Sequence, residues 1–361
     1  DWPKMEAELQ RKQQDLSYAA YNRKWDEVEK LQSELVRSWA ARVLAVRAAA
    51  NANSQAGIDG VHWKSNEEKA KAALTLTSRG YRPLPYRHTE VEESGKLRII
   101  HVPAVRDKAM LTLYAYSLDP VSEATADRKS FSARKGRSAF DAHAYLMHDL
   151  TGPYAPEWVV VVDVQSYYSS ITHERLMNDI PMDKAMLQKF LKAGVIRDGE
   201  LFSTDRGISL GTSLSPILGN MLLDGLQSYI YDRLYPAGGV DYLNGNTIRF
   251  ADDIIITARS QEQASLILDI ACDFLGDRGL RMNQDKSYIA DVNRGFCFLS
   301  RHYKKTNGIL CVTPSDDAIK RFEHEMEKLI LNFKGTQRTL IGKINKKLRG
   351  WASYHRVEDA Y

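Results

Sequence analysis

The feature that most constrains this chain is a run of four valines that ends in an acid. The segment Trp158-Val-Val-Val-Val-Asp163-Val164 shows no alternation of polar and apolar residues. β-Branched residues favour strands, and a continuous apolar run of this length indicates a strand that is buried on both faces. The run therefore predicts a buried strand with Asp163 at its end.

The composition supplies enough apolar surface to bury such a strand in a sizeable core. Apolar residues make up 43% of the 361 residues and charged residues 27%, which excludes disorder as the main state. The length predicts two or three domains, or one core with appendages. No apolar run approaches the roughly 18 residues of a membrane span, and no signal segment is recognisable. We therefore expect a cytoplasmic protein without a membrane partner.

The three cysteines give no sign of a metal site. Cys272, Cys297 and Cys311 lack the spacing of metal ligands and leave an odd thiol, which is typical of a reducing compartment. The net charge of +4 neither demands nor excludes nucleic acid, so the distribution of charge has to decide.

Two segments concentrate positive charge. Residues 128–137 form a Gly- and Ser-containing loop with five basic residues and no acid beside Phe131. Residues 334–356 hold seven basic residues and no acid, interleaved with Trp351 and Tyr354. The loop predicts contacts with nucleic-acid phosphates, and a solvated charged surface is the alternative.

Helical and extended patterns surround the valine run. Apolar residues three or four apart between Trp25 and Val46 predict an amphipathic helix that docks on the rest of the protein. Val91 and residues 97–100 flank Glu-Ser-Gly-Lys, which predicts a β-hairpin.

The second half of the chain continues this mixture. Residues 207–223 read as a Gly/Ser loop that becomes an apolar helix, and residues 296–303 read as a short strand. A separate helical unit follows Ser315, which we expect to be its N-cap.

Two acidic positions are candidates for metal chemistry. Asp163 ends the valine strand, and Asp252 with Asp253 lies between two short apolar runs where a hairpin has to turn. Like charges at the tip of a sheet are costly unless cations neutralise them. Mg²⁺ prefers carboxylate and water oxygens, and two ions about 3.5–4 Å apart stabilise the attacking and leaving oxygens of a phosphoryl transfer. Asp163 and Asp252 are therefore candidate metal-bridging carboxylates, and an ordinary turn is the alternative for the Asp-Asp pair.

These motifs follow one another in a recognisable order. The series consists of DVQSYY from Asp163, residues 207–220, FADD from Phe250, NQDK from Asn283 and FCFL from Phe296. It resembles the palm motifs of reverse transcriptases, most closely the bacterial enzymes of the group II intron type.

The resemblance extends on both sides of these motifs. AGIDG from Ala56, GKLR from Gly95, VPAVRD from Val102, FSARKGRSA from Phe131 and LRGWASY from Leu348 are similar to the family's N-terminal, finger and thumb motifs. The resemblance implies an α+β right-hand polymerase of fingers, palm and thumb. It also implies the domain boundaries: an N-terminal helical extension (1–55), fingers with part of the palm (56–157), a palm (158–303) and a helical thumb (304–361).

The resemblance implies that the chain copies RNA into DNA from an RNA template, a DNA or RNA primer and dNTPs. Asp163, Asp252 and Asp253 would hold two Mg²⁺ ions, for which Mn²⁺ can substitute. Lys286 would lie near the leaving pyrophosphate as a proton donor, and an exposed surface lysine is the alternative. Tyr168 would lie under the incoming sugar, where its ring excludes a 2′-OH.

The remaining implied roles concern the triphosphate and the nucleic acid. Lys96 and Arg98 would hold the triphosphate, for which a planar guanidinium is well suited. Gly211 would pass beneath the nascent base pair, where the backbone has to approach closely. Contacts with template or duplex are implied for six residues: Arg134, Arg137, Ser215, Lys343, Lys347 and Arg349.

Three departures from the family pattern bear on the biological role. Ser209-Leu210-Gly211 replaces the usual Pro-Gln-Gly, Phe250 stands where Tyr is more common, and Ser300 stands where Gly usually follows Phe-Leu. Leu210 removes a polar contact near the dNTP. It favours a stand-alone antiphage-defence enzyme that copies a dedicated structured non-coding RNA. A group II intron maturase that mainly binds and folds RNA, and an untemplated or protein-primed polymerase, are the alternatives. From the length we expect a minimal polymerase, or a chain with residues missing at its ends.

Overall fold

The computed structural model describes residues 1–51, 55–93, 96–238 and 244–356, without the side chains of residues 92, 93 and 96. Its mixture of helices and sheets is α+β, as expected. The predicted turn at residues 94 and 95 lies outside the described residues.

The amphipathic pattern between Trp25 and Val46 forms two helices rather than one. These are α2 (Trp25–Arg37) and α3 (Trp39–Ala49), and α1 (Trp2–Tyr21) precedes them. The pattern is interrupted at Ser38, whose backbone is extended and whose hydroxyl accepts a hydrogen bond from the Ala41 amide at 3.2 Å. A serine that caps the next helix in this way ends the previous one. The predicted docking is confirmed, because all three helices pack against α5 (Val105–Thr125).

The valine run forms β3 (Trp158–Val162) inside a four-stranded antiparallel sheet. Its neighbours are β7 (Asp253–Ala258) and β8 (Tyr288–Asp291), and β6 (Thr247–Phe250) pairs with the outer edge of β7. Val160 and Val162 belong to a large core with α12 (Gln261–Gly276), α5 and the N-terminal helices. Val159 belongs to a second core with α6 (Ala139–Leu150). The prediction that both faces of this strand are covered is confirmed.

Two smaller sheets flank this central one. The predicted hairpin is confirmed as β1 (Tyr86–Glu93) and β2 (Lys96–Val102), which β4 (Val195–Arg197) and β5 (Glu200–Phe202) extend. The third sheet contains β9 (Phe296–Phe298), β10 (Arg301–Thr306) and β11 (Ile309–Pro314).

The single strand predicted at residues 296–303 was wrong. Leu299 and Ser300 have φ values of +46° and +67°, so the chain reverses there and two antiparallel strands form instead of one. Consecutive left-handed residues without glycine give little signal in a sequence.

The C-terminal helical unit consists of α13 (Asp316–Leu331) and α14 (Gln337–His355). Ser315 caps α13 as predicted, since its hydroxyl accepts a hydrogen bond from the Ala318 amide at 3.3 Å. The remaining helices are α4 (Asn66–Thr75), α7 (Tyr167–Ser170), α8 (His173–Asp179), α9 (Lys184–Leu191), α10 (Ser215–Leu223) and α11 (Leu226–Leu234). Within the described ranges, no helix combines the length and the apolar character needed to cross a membrane.

A buried arginine joins α14 to the third sheet. Arg301 is 3% exposed, donates a hydrogen bond to the Tyr354 carbonyl and lies 5.6 Å from the centre of the Tyr354 ring. The Tyr354 hydroxyl in turn donates to the Leu299 carbonyl at 2.9 Å. In the described part of the chain no carboxylate pairs with Arg301. The guanidinium is therefore held by a helix-end carbonyl and aromatic rings.

We predict that Arg301→Met loosens α14. The change removes a charge-assisted hydrogen bond to the helix-end carbonyl of Tyr354, so the free energy of unfolding should fall by about 2 kcal/mol. Hydrogen exchange of the α14 amides should become faster, and chemical denaturation should report the loss. Arg294→Met is the control, because Arg294 is 89% exposed and its ion pair with Asp291 spans 4.0 Å. Equal effects of the two substitutions would contradict the prediction.

Candidate active site

Three candidate carboxylates lie at one end of the central sheet. Val162 pairs with Ile254, so the antiparallel register brings Asp163 to the level of Asp253. Asp252 lies in the tight turn between β6 and β7, next to Ala251 with φ +58°, and Phe250 pairs with Asp253 across that turn. The predicted Asp-Asp turn is thus shifted by one residue, since Asp253 already belongs to β7.

Desolvation and mutual repulsion both act on the pKa values of Asp252 and Asp253. Burial, followed by the charge of Asp163, raises the pKa of Asp252, although Lys286 and Arg98 oppose the shift. The pKa of Asp253 is raised to about 6, mainly by desolvation of its carboxylate among the atoms at the end of the sheet and then by the charges of Asp252 and Asp163. The residue as a whole nevertheless has an exposed surface. The end of the sheet therefore favours a bound cation.

Lys286 is the positive group nearest to Asp163. Its Nζ lies 3.8 Å from Asp163 Oδ2, and its side chain is 65% exposed. A long, solvent-exposed lysine that reaches a carboxylate can also reach the phosphates of a substrate bound there. The position is compatible with the predicted role.

Asp163 is oriented by residues of the Asn-Gln-Asp-Lys loop to which the sequence reading gave no role of their own. The Asn283 amide Nδ2 donates to Asp163 Oδ1 at 2.9 Å, and the Asn283 backbone N donates to the Asp163 carbonyl at 2.8 Å. The Asp163 backbone N donates to Ser287 Oγ at 3.0 Å. The Asn-Gln-Asp-Lys motif carried the signal, since Asn283 is its first residue. These bonds leave Asp163 Oδ2 directed toward Lys286.

The three carboxylates do not by themselves complete the coordination of a metal ion. Among the described residues, no three His, Cys, Asp or Glu side chains are grouped tightly enough to hold a metal ion. The donor chemistry nevertheless fits Mg²⁺, because the groups are carboxylates and two of them have raised pKa values that a cation would lower. Shared binding by protein carboxylates and substrate phosphates is the usual arrangement for this ion.

Tyr168 borders the carboxylates. The half-buried ring packs edge-on against Tyr167 at a centroid distance of 5.2 Å, and burial, followed by Asp252, raises the pKa of its hydroxyl. A Cβ on Gly219 of α10 would lie 3.2 Å from Tyr168 Cε1 and 3.3 Å from its hydroxyl. Gly219, which sequence reasoning missed, therefore makes room for the ring.

The loop of residues 207–214 runs beside this ring. Gly211 has φ +95°, and a Cβ there would contact the His101 carbonyl of β2 at 3.4 Å. Its glycine character thus follows from the left-handed backbone and the approach to β2.

Ser215, which is predicted to contact the template, has its side chain bonded inside the protein. It is 2% exposed, its hydroxyl donates to the Ser209 carbonyl at 2.6 Å, and it also bonds to the Thr212 hydroxyl. The Ser215 hydroxyl therefore holds the loop of residues 207–214 against the start of α10.

The two predicted binding residues of the basic loop, residues 128–137, also form hydrogen bonds within the protein. The Arg134 guanidinium donates two bonds of 2.7 Å to Glu123 and bonds of 2.8 Å to the carbonyls of Asp127 and Ser130. Arg137 donates to Glu123 at 3.3 Å and to the Arg128 carbonyl at 3.0 Å. The guanidinium of Arg134 is therefore buried and paired within the protein, and Arg137 is partly paired in the same way. Their contacts with the template stay predictions.

The other predicted binding residues are on β2 and α14. Arg98 is exposed on β2 and close enough to lower the pKa of Asp252, whereas the side chain of Lys96 lies outside the described residues. On α14, Arg349 is exposed, and Lys347 pairs with Glu325 at 2.7 Å. The Nζ of Lys343 lies 4.9 Å from the centre of the Phe333 ring.

A buried ion pair holds strand β6 in place next to the β6–β7 turn. Arg249 is 1% exposed, forms an ion pair with Asp224, and donates bonds of 3.3 Å to the side-chain and backbone oxygens of Asn220. Burial raises the pKa of Asp224 to about 6 despite the neighbouring guanidinium. This pair links α10 to the strand that leads into Asp252.

We predict that the Arg249–Asp224 pair is strongly coupled. Arg249→Met leaves a buried carboxylate without its cation, so the free energy of unfolding should fall by about 3–5 kcal/mol. The double variant Arg249→Met/Asp224→Leu removes both charges and should recover a large part of that loss. Urea denaturation of the wild type, both single variants and the double variant measures the coupling. Additive losses would contradict it.

Comparison with known proteins agrees with this geometry. Residues 88–303 match the family model described as reverse transcriptase (RNA-dependent DNA polymerase). Residues 1–76 match the N-terminal domain of reverse transcriptase, and residues 319–360 match the group II intron maturase-specific domain. All three carboxylates, Tyr168 and Lys286 lie inside the first match.

Three relatives illustrate the range of similarity. Protein YkfC of Escherichia coli is 27% identical over 72% of this chain and 79% of its own length. The group II intron-encoded protein LtrA of Lactococcus lactis is 27% identical over 46% of this chain, and the match spans 28% of LtrA. Maturase-like protein 1 of Euglena gracilis is 20% identical over 99% of this chain and 77% of its own length. With the reverse transcriptase model matching more than half of its residues, the chain belongs to the reverse transcriptase family, as a group II-like RNA-dependent DNA polymerase.

Proposed function

We propose that this chain copies RNA into cDNA by two-metal nucleotidyl transfer, with Asp163, Asp252 and Asp253 as the metal-binding carboxylates. The observation that carries the proposal is the convergence of these acids with Lys286 at one end of the central sheet. The family generally uses divalent metals such as Mg²⁺. When bound, two such ions would stabilise charge on the attacking and leaving oxygens.

The residues of the chain would contribute alignment rather than covalent chemistry. Asn283 and Ser287 fix Asp163, so that its second carboxylate oxygen lies toward Lys286. Tyr168 would lie against the sugar of the incoming dNTP, and Arg98, together with Lys96, would hold its triphosphate. Lys286 would supply a proton or a positive charge to the departing pyrophosphate.

The division of the chain into fingers, palm and thumb domains is part of the same proposal. Residues 1–55 would form the N-terminal extension, 56–157 the fingers with part of the palm, 158–303 the palm and 304–361 the thumb. The exposed, basic α14 would then contact the template–primer duplex through its lysines and Arg349. RNA template and primer binding follow from the family, and the particular RNA is open to experiment.

We predict that Asp252→Asn abolishes DNA synthesis. Loss of a metal-binding carboxylate should cost about 4 kcal/mol of transition-state stabilisation, which corresponds to about a thousandfold in rate. The measurement is Mg²⁺-dependent dTTP incorporation on poly(rA) primed with oligo(dT). Asp291→Asn is the control, because Asp291 lies at the opposite end of the same sheet, paired with Trp158. Undiminished incorporation by Asp252→Asn would refute the proposed site.

A maturase function is the second candidate, and one observation favours it. Residues 319–360 match the maturase-specific domain, and they include the basic helix α14. Structured RNA is recognised mainly by shape and backbone, for which exposed lysines on a helix are suitable. A maturase would bind and fold an intron without using the carboxylates.

We predict different outcomes for the two functions when the carboxylate is removed. If folding of intron RNA is the main activity, Asp252→Asn should still promote splicing, while Lys346→Glu/Arg349→Glu should not. If cDNA synthesis is the main activity, no intron RNA should be spliced, and sequencing of copurified RNA and cDNA should identify a dedicated template. A stand-alone defence enzyme that copies one non-coding RNA, as Leu210 suggests, corresponds to the second outcome.

A further inference from the structure

The loop of residues 207–214 is fastened at both of its ends. At its start, the amides of Gly207 and Ile208 donate to the carbonyls of Ile171 and Tyr168 at 2.7 and 2.8 Å. At its end, Ser215 Oγ holds the Ser209 carbonyl at 2.6 Å. The loop therefore begins at the aromatic pair beside the carboxylates and ends on α10.

The middle of the loop is attached to β2 by one residue, His101. Its backbone N donates to the Leu210 carbonyl at 2.9 Å, and its ring Nδ1 lies 3.1 Å from Ser209 Oγ. Two bonds from one residue to consecutive loop residues fix both the distance of the loop from β2 and its rotation. The side-chain bond is the part that a mutation can remove without deleting the backbone bond.

The His101 ring is suited to a permanent hydrogen bond. It is half-buried, and burial, followed by the neighbouring His88, lowers its pKa, which keeps the imidazole neutral near pH 7. The two rings are cross-strand neighbours with centroids 5.9 Å apart. A neutral ring can serve Ser209 as donor or acceptor.

Leu210 explains why the attachment of this loop matters. Its side chain is 38% exposed and apolar, so it offers no hydrogen bond to a bound nucleotide. The loop then acts on a nucleotide through its position and shape. That position is set relative to β2, which also carries Arg98.

We propose that His101 is a positioning residue for nucleotide binding, which holds the Ser209–Leu210–Gly211 loop at a fixed distance from the strand that carries Arg98. The inference rests on the proposed function, since it assigns the space beside this loop to the incoming dNTP. His101 acts through Ser209 and does not touch the reacting atoms. Its loss widens the nucleotide site and leaves the carboxylates in place.

Four substitutions separate this role from a general contribution to folding. His101→Asn keeps a hydrogen-bonding atom close to the position of Nδ1, whereas His101→Gln carries it toward the position of Nε2. His101→Ala removes the bond, and Ser209→Ala removes the partner. The assay is single-nucleotide addition of dTTP to oligo(dT) on poly(rA), with KM and kcat measured separately and a thermal melt of each variant.

We expect His101→Ala, His101→Gln and Ser209→Ala each to raise the KM for dTTP about fivefold, the size expected for one lost hydrogen bond. Their kcat should stay within about twofold of the wild type. His101→Asn should restore KM to within about twofold, and His101→Ala/Ser209→Ala should be no worse than either single variant.

Three results would overturn the inference. These are an unchanged KM in all variants, a fall in kcat and melting temperature with KM unchanged, and additive effects in the double variant. Because each variant is compared with an active wild type, these results leave the proposed function intact. Failure of Asp252→Asn to abolish synthesis would affect the proposed function instead.

Discussion

The constraint on which the rest of the structure depends is that three like-charged carboxylates have to be held at one end of a sheet. Asp163, Asp252 and Asp253 carry like charges, and burial, followed by these charges, raises the pKa values of Asp252 and Asp253. The chain resists the repulsion with parts that do not touch a substrate. Asn283 and Ser287 hold Asp163, and the buried Arg249–Asp224 pair supports the strand that leads into Asp252.

A second constraint is the use of positive charge. The basic loop of residues 128–137 looks like a surface for phosphates, yet Lys129, Arg134 and Lys135 pair with Asp149, Glu123 and Asp119. These acids lie before or after the loop in the chain and come close only in the fold. The exposed lysines and arginine of α14 are less committed, so the balance of free positive charge shifts toward the C-terminal helices. The small net charge therefore does not show that some basic side chains are paired within the protein while others are exposed.

Much of this arrangement was predictable, and the exceptions have physical causes. The valine strand, the β1–β2 hairpin and the cap at Ser315 follow from local rules of burial, turn chemistry and capping. The reversal at Leu299 and Ser300 was missed because neither residue is a glycine, and tertiary contacts impose the left-handed backbone. The burial of the Ser215 hydroxyl and the Arg134 guanidinium was not predictable, because such a group looks the same in a sequence whether it is exposed or buried.

The sequence by itself determined the type of protein: the order of its motifs, the identity of the carboxylates and the strand on which Asp163 ends. Those properties depend on residue type and spacing, which are local and directly readable. Only the tertiary structure decided which polar groups are available, since Arg301 and Arg249 are buried and bonded to Tyr354 and Asp224, which lie elsewhere in the chain. It also decided that His101 attaches the loop of residues 207–214 to β2, because that bond joins residues more than a hundred positions apart. A hydrogen bond between distant residues depends on packing, and packing is a property of the whole fold.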